Sequence, residues 1–254
     1  MTRRLSDLTF EGARELLSTG AHALLPTGAV EAHGPHLPLG TDVIIAEGAA
    51  LRTAELLEAR GIHALVLPPI SYSVAEYAKG FAGTLSLPAD VVRAQVREVI
   101  LAAWRAGFRS VVLCNAHLEP ANRAVLKGAC EEANLAGARA AFPDVVRREH
   151  AARLGEEFRS GACHAGRYET SLVLSAEPTL VNTGVQRGLA PNPASLSDAI
   201  RDGKTSFEEA GGPHAYFGWP AEASKAEGDE LYRVMAEIFA AAVEAFETNA
   251  NARG

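Results

Sequence analysis

HALLPTGAVEAHGPHLPLGTDVIIAEGAALRTAELLEARGIHALVL, residues 22–67, opens and closes on short aliphatic runs, 22–25 and 62–67. Both are bounded by Gly or Pro and read as buried strands. Between them, residues 43–60 are rich in Ala, Leu and Glu and stop at Gly61, a residue suited to the position after a helix. A strand, a helix and a second strand at this spacing imply parallel strands joined by a crossover. The same unit recurs outward along the chain. Residues 110–114 (SVVLC) and 138–142 read as two further strands. A helix over 89–106 follows Pro88, places Val92, Val96, Val99, Ile100 and Ala103 on one face and ends at Gly107. Another spans 121–135, ahead of Gly137. No linker or composition break divides the chain. The expectation is one α/β domain over 1–254, a layered fold with a mainly parallel sheet flanked by helices.

The last third differs. Residues 168–176 read as a short helix, and the chain closes on an amphipathic helix with Leu231, Val234, Met235, Ile238 and Ala242 on one face. Residues 182–220 are rich in Gly, Pro, Asn and Ser and lack periodicity, so a long loop is expected there, as a lid, a subunit-contact arm or a disordered loop.

The 254 residues carry 24 Lys+Arg against 31 Asp+Glu, a formal charge of −7. An acidic chain without a basic run excludes nucleic acid as the expected partner, since binding a phosphate backbone needs clustered positive charge. The first residues lack an apolar core for a signal peptide, and no stretch is apolar enough to span a membrane. Three cysteines without a CxxC argue against a disulfide framework. The expected place is the cytoplasm.

Chemistry collects after the strands. Glu31 and His33 are two apart, so an extended backbone points both the same way. His36 follows, and Asp42 stands where the next helix begins, a position a carboxylate also occupies as an ordinary cap. After residues 110–114 the chain reads Asn115-Ala-His117-Leu118-Glu119, another imidazole and carboxylate two apart. In open parallel sheets the ligand crevice lies outside the carboxyl ends of the strands. Five N/O donors without a thiolate suit Zn²⁺, Mn²⁺ or Fe²⁺ and suffice for two ions sharing one carboxylate. A third cluster, Cys163-His164-Ala-Gly-Arg-Tyr-Glu169, offers an acid/base and a helix-start carboxylate.

PTGAVEAHGPHLPLGTD (26–42), FAGTLSLP (81–88), LCNAHLEP (113–120) and HAGRYETSL (164–172), in this order, resemble the creatininase (creatinine amidohydrolase) family. The resemblance implies a dinuclear centre of Zn²⁺ and/or Mn²⁺. It places Glu31, Asp42 and His117 on one ion, and His33, the shared Asp42 and Glu119 on the other. It makes His164 and Glu169 the catalytic pair. It further implies a small-molecule amide substrate, a homohexamer, and hydrolysis of a C–N amide bond by an activated water. Two features depart from creatininase itself. Leu118 stands where that enzyme has an aromatic residue, and the only tryptophans are Trp104 and Trp219. The pocket is therefore not expected to suit creatinine. A metal-dependent peptidase or a formamide deformylase is the alternative, and a non-catalytic binding protein a third reading.

Overall fold

The computed structural model describes residues 3–251, so the ends of the expected 1–254 domain lie outside the described residues. Four strands, β1 (His22–Thr27), β2 (Ala64–Val66), β3 (Val111–Asn115) and β4 (Ala140–Ala141), form a sheet of order β2-β1-β3-β4. All three pairings are parallel. β1 extends two residues past the expected end, through Pro26, because a proline lacks only the donor. Its carbonyl still accepts from Ile70 N at 3.0 Å.

Side chains of β1 alternate between two cores, as the strand's period of two requires. Leu24 joins Val112 and Cys114 in a core closed by three helices: α2 (Thr41–Ala59), α7 (Arg167–Ala176) and α10 (Lys225–Asn251). Ala23 and Leu25 join Val111 and Leu113 in a second core, beneath α3 (Ala89–Arg105) and α4 (Pro120–Leu135). α1 (Phe10–Ser18) packs Leu16 and Leu17 on the same side. The expected helix faces are the buried ones: Val92, Val96, Ile100 and Ala103 on α3, and Leu231, Val234, Met235 and Ile238 on α10. Among the described residues no helix is long and apolar enough to cross a membrane.

Residues 182–220 are more structured than their composition implies. They hold the short helices α8 (Thr183–Gln186) and α9 (Leu196–Arg201), after α5 (Arg148–Ala151) and α6 (Gly155–Ser160). Phe207, Ala210, Ala215 and Phe217 form a small third core with Ala78 and Ala162, so this segment is anchored on its own chain. The chain leaves β1 toward β2 on one side while β3 lies on the other, and the crevice at that reversal holds the polar residues.

Candidate metal centre

The loop after β1 supplies Glu31 and His33, the first turn of α2 supplies Asp42, the residues after β3 supply His117 and Glu119, the loop into α7 supplies His164 and the first turn of α7 supplies Glu169. All seven are buried. Asp42 is a first-turn residue, the flanking cap position being Gly40, so its carboxylate is free to face the crevice. Gly28 makes that approach feasible. A Cβ there would lie 2.6 Å from Val43 N and 2.9 Å from Asp42 Cβ.

The two central histidines share one device. His33 Nδ1 bonds the Glu31 carbonyl at 3.1 Å, and His117 Nε2 bonds the Val74 carbonyl at 2.7 Å. A carbonyl only accepts, so each ring spends an N–H on backbone and turns its other nitrogen inward. His33 Nε2 faces Asp42 Oδ1 at 3.1 Å and Glu169 Oε2 at 3.6 Å. His117 Nδ1 faces Glu31 Oε1 and Asp42 Oδ2, both at 3.1 Å. Asp42 thus turns one oxygen to each histidine.

Those inward nitrogens meet acceptors only, an arrangement that requires a proton or a metal cation between them. Burial disfavours charge on His33, but Asp42, Glu169 and Glu31 outweigh it and raise its pKa to about 10. His117 is raised as well, Glu31 and Asp42 overcoming its burial. Burial would raise the Asp42 carboxyl, but His33 and His117 hold it well below its ordinary range. Among the described residues Glu31, Asp42 and Glu169 have no Lys or Arg in an ion pair. Glu31 Oε2 and Asp42 Oδ2 are buried without a hydrogen bond. Orphaned carboxylate oxygens beside imidazole nitrogens are the donor set of a divalent metal site, and the residues fit one.

Donor atoms within 4.8 Å of one another fall into the sets Glu31–Asp42–His117, His33–Asp42–Glu169 and Glu31–His33–His164. The first is the trio that the resemblance implies for one ion. In the second, Glu169 stands where Glu119 was expected. The reason is local. Glu119 Oε2 accepts from Tyr77 N at 3.2 Å, which draws the carboxylate to the cavity wall. Glu169 Oε2 accepts from Ala165 N at 2.6 Å, and Ala165 is held in the left-handed region (φ 49°) that presents that N–H. Burial raises Glu119 to about 7 and Glu169 to about 8.

His164 Nε2 donates to the Ala32 carbonyl at 2.9 Å, leaving Nδ1 4.0 Å from Glu31 Oε1. Burial, then the charge on His33, lowers His164 to about 4, so Nδ1 is a free base. Its ring lies between His33 and Phe207, with centroids 4.4 and 4.2 Å away. His36 falls outside the cluster and bonds Thr170 Oγ1 at 2.8 Å. Burial raises the Cys163 thiol, which argues against a thiolate nucleophile. Gly28, Ala165, Tyr77 and Phe207 escape a motif search because their contribution is conformation or backbone, although a glycine just after a strand is a weak signal.

A family model described as creatinine amidohydrolase matches residues 6–243. The chain belongs to the creatininase family. As a member it is a metal-dependent amidohydrolase that cleaves C–N amide bonds. It is 30% identical to the mycofactocin precursor peptide peptidase of Mycobacterium ulcerans, over 92% of this chain and 88% of that one. To the creatinine amidohydrolase of Pseudomonas putida it is 29% identical, over 70% and 73%. A solved creatinine amidohydrolase (creatininase) structure superposes with a TM-score of 0.76 at 24% identity, covering 95% of this chain and 96% of that one, which shows the shared creatininase fold.

Proposed function

We propose that this creatininase-family protein hydrolyses an amide bond in a peptide-sized substrate, in preference to a small ring such as creatinine. The observation that carries this reading is the cavity over the cluster, about 660 Å³, walled by Leu118, Val146, Phe158, Leu196, Ile200 and Phe207. Pockets of roughly 300–1,000 Å³ enclose drug-sized ligands, and a small ring would leave most of this one empty. The relative matched over most of both chains is itself named a peptide peptidase, which supports the same choice.

Glu31, Asp42 and His117 are proposed to hold one divalent ion, and His33, Asp42 and Glu169 the second, with Zn²⁺ or Mn²⁺ suited to both sets. Solved creatininase structures of Mn and Zn-Zn types support that pair. Such ions supply Lewis-acid charge that lowers the pKa of water and polarises a carbonyl. Glu119, pinned by Tyr77 and facing the cavity, orients the attacking water. His164 Nδ1 takes the proton of that water and returns it to the leaving nitrogen, while the Nε2 bond to Ala32 keeps the ring in place. Phe207 shields this transfer from bulk solvent.

The test is a panel of short peptides, formamides and lactams including creatinine, incubated with the Zn²⁺- or Mn²⁺-loaded protein and read by mass spectrometry. Cleavage of peptides at rates well above those of lactams is expected. Turnover of lactams with intact peptides would overturn the reading.

A further inference from the structure

The cavity is polarised in a way that the amide-hydrolysing cluster does not use. Its acidic lining residues are Glu31, Asp42, Glu119 and Glu169, all in or beside the cluster. The other charged lining residues are four arginines, Arg123, Arg148, Arg159 and Arg201. Arg123 is closed in a two-pronged pair with Asp144, at 2.7–3.2 Å. The remaining three come from three separate helices, α5, α6 and α9. Arg148 is exposed and has no carboxylate partner among the described residues. Arg159 reaches Glu156 only at 3.9 Å, and Arg201 pairs with Asp198 on its own helix. Exposed pairs of this kind hold a guanidinium weakly, so both remain available to a ligand.

We propose that Arg148, Arg159 and Arg201, on the cavity wall supplied by α5, α6 and α9, bind a carboxylate on the substrate. The proposal rests on the reading of this cavity as the amide site and narrows its substrate class to anionic amides. Three features support it together. Guanidinium forks match the two oxygens of a carboxylate. Leu196 and Ile200, on the helix of Arg201, and Phe158, on the helix of Arg159, line the same cavity and offer an apolar surface for the body of the ligand. A chain of formal charge −7 repels an anionic ligand overall, and arginines on the cavity wall supply the local positive charge that attracts it. The carboxylate source is either a peptide C-terminus or an acidic side chain.

Binding separates this inference from turnover. Titration calorimetry on the Zn²⁺-loaded protein compares N-benzoylglycine, N-benzoylglycinamide and N-benzoylglutamic acid bearing a C-terminal amide. At least one carboxylate probe is expected to bind about tenfold or more tightly than the neutral glycinamide, and to weaken in high salt. Whichever acid shows the preference identifies the source. In R148E/R201E the preference is expected to vanish while the glycinamide binds as before. R148A, the milder change, is expected to lose part of it. Equal binding of acids and amide in the unaltered protein would overturn the proposal. So would a preference that survives R148E/R201E, because the carboxylate would then be held at the metal cluster. Equal loss of acid and amide binding in the variant would overturn it too, since the arginines would not be reading charge. Failure of the panel assay with these binding results intact would count against the function and not against the carboxylate site.

Discussion

Asp42 Oδ1 lies 3.1 Å from His33 and Oδ2 lies 3.1 Å from His117, so one side chain bridges the two halves of the cluster. His164 contributes differently: its Nε2 is committed to Ala32, and only Nδ1 is left for proton transfer. Asp42→Ala removes the shared negative charge between two proposed cations and is expected to lose bound metal together with activity. His164→Ala is expected to keep near-normal metal while turnover falls by about 10²–10⁴, the usual size of general acid–base catalysis. Elemental analysis beside steady-state kinetics decides between them. Metal loss in His164→Ala equal to that in Asp42→Ala would make His164 a ligand. The set Glu31–His33–His164 makes that outcome a real alternative to test.

At the level of elements, the helix carrying Glu169 is fixed by a residue outside it. Glu157, on α6, receives Tyr168 N at 2.7 Å on Oε1, and Arg167 N at 2.9 Å and Trp219 N at 2.7 Å on Oε2. Arg167 and Tyr168 are the first residues of α7, so Glu157 satisfies helix-start donors that Gly166 has no side chain to reach. Trp219 N ties the segment of Phe217 to the same carboxylate, and Phe217 N bonds the His164 carbonyl at 2.8 Å. Glu157 is therefore a positioning residue for both Glu169 and His164. In Glu157→Gln the amide NH₂ replaces one acceptor, and at least one buried N–H loses its partner, at a cost of about 1–3 kcal/mol. The expected result is a lower melting temperature with kcat reduced more than KM. An unchanged kcat in a destabilised variant would make Glu157 merely structural.

Across the whole molecule, the sheet is locked to the C-terminal helix by one buried imidazole. His22, on β1, bonds Ser110 Oγ at 2.7 Å and Glu247 Oε1 of α10 at 2.9 Å. Burial lowers its pKa, more than Glu247 raises it. A histidine with a depressed native pKa is protonated more readily when unfolded. Its contribution is thus present above the unfolded value of about 6.5 and is lost as pH falls below it. Denaturant unfolding at pH 7.5 and 5.5 is expected to show a smaller acid-induced loss of stability for His22→Gln than for the unaltered protein. Comparing the slopes removes any pH-independent cost of the substitution. An identical slope would mean that Glu247 offsets the burial of His22 and leaves its native pKa at the unfolded value, and a larger acid-induced loss in the variant would mean that Glu247 keeps His22 charged.

The layered parallel fold, the helix faces and the paired donors Glu31/His33 and His117/Glu119 were legible in order and spacing, because strand periodicity and strand-end position are local properties. Two things were not. Residues 182–220 bury Phe207 and Phe217 at irregular intervals, which leaves no period to read, so their place over the site depends on what they meet. The division of carboxylates was equally hidden. Glu119 and Glu169 are the same residue type at comparable motif positions, and the one that joins His33 and Asp42 is set by backbone donors. Tyr77, 42 residues before Glu119, draws that carboxylate to the wall. Ala165, in a left-handed conformation, turns Glu169 toward His33. Residue order was enough to say which donors reach the crevice, because chain direction delivers strand ends to one edge. Which donors stand together was settled by the packed fold, because a buried carboxylate goes where unpaired N–H groups hold it.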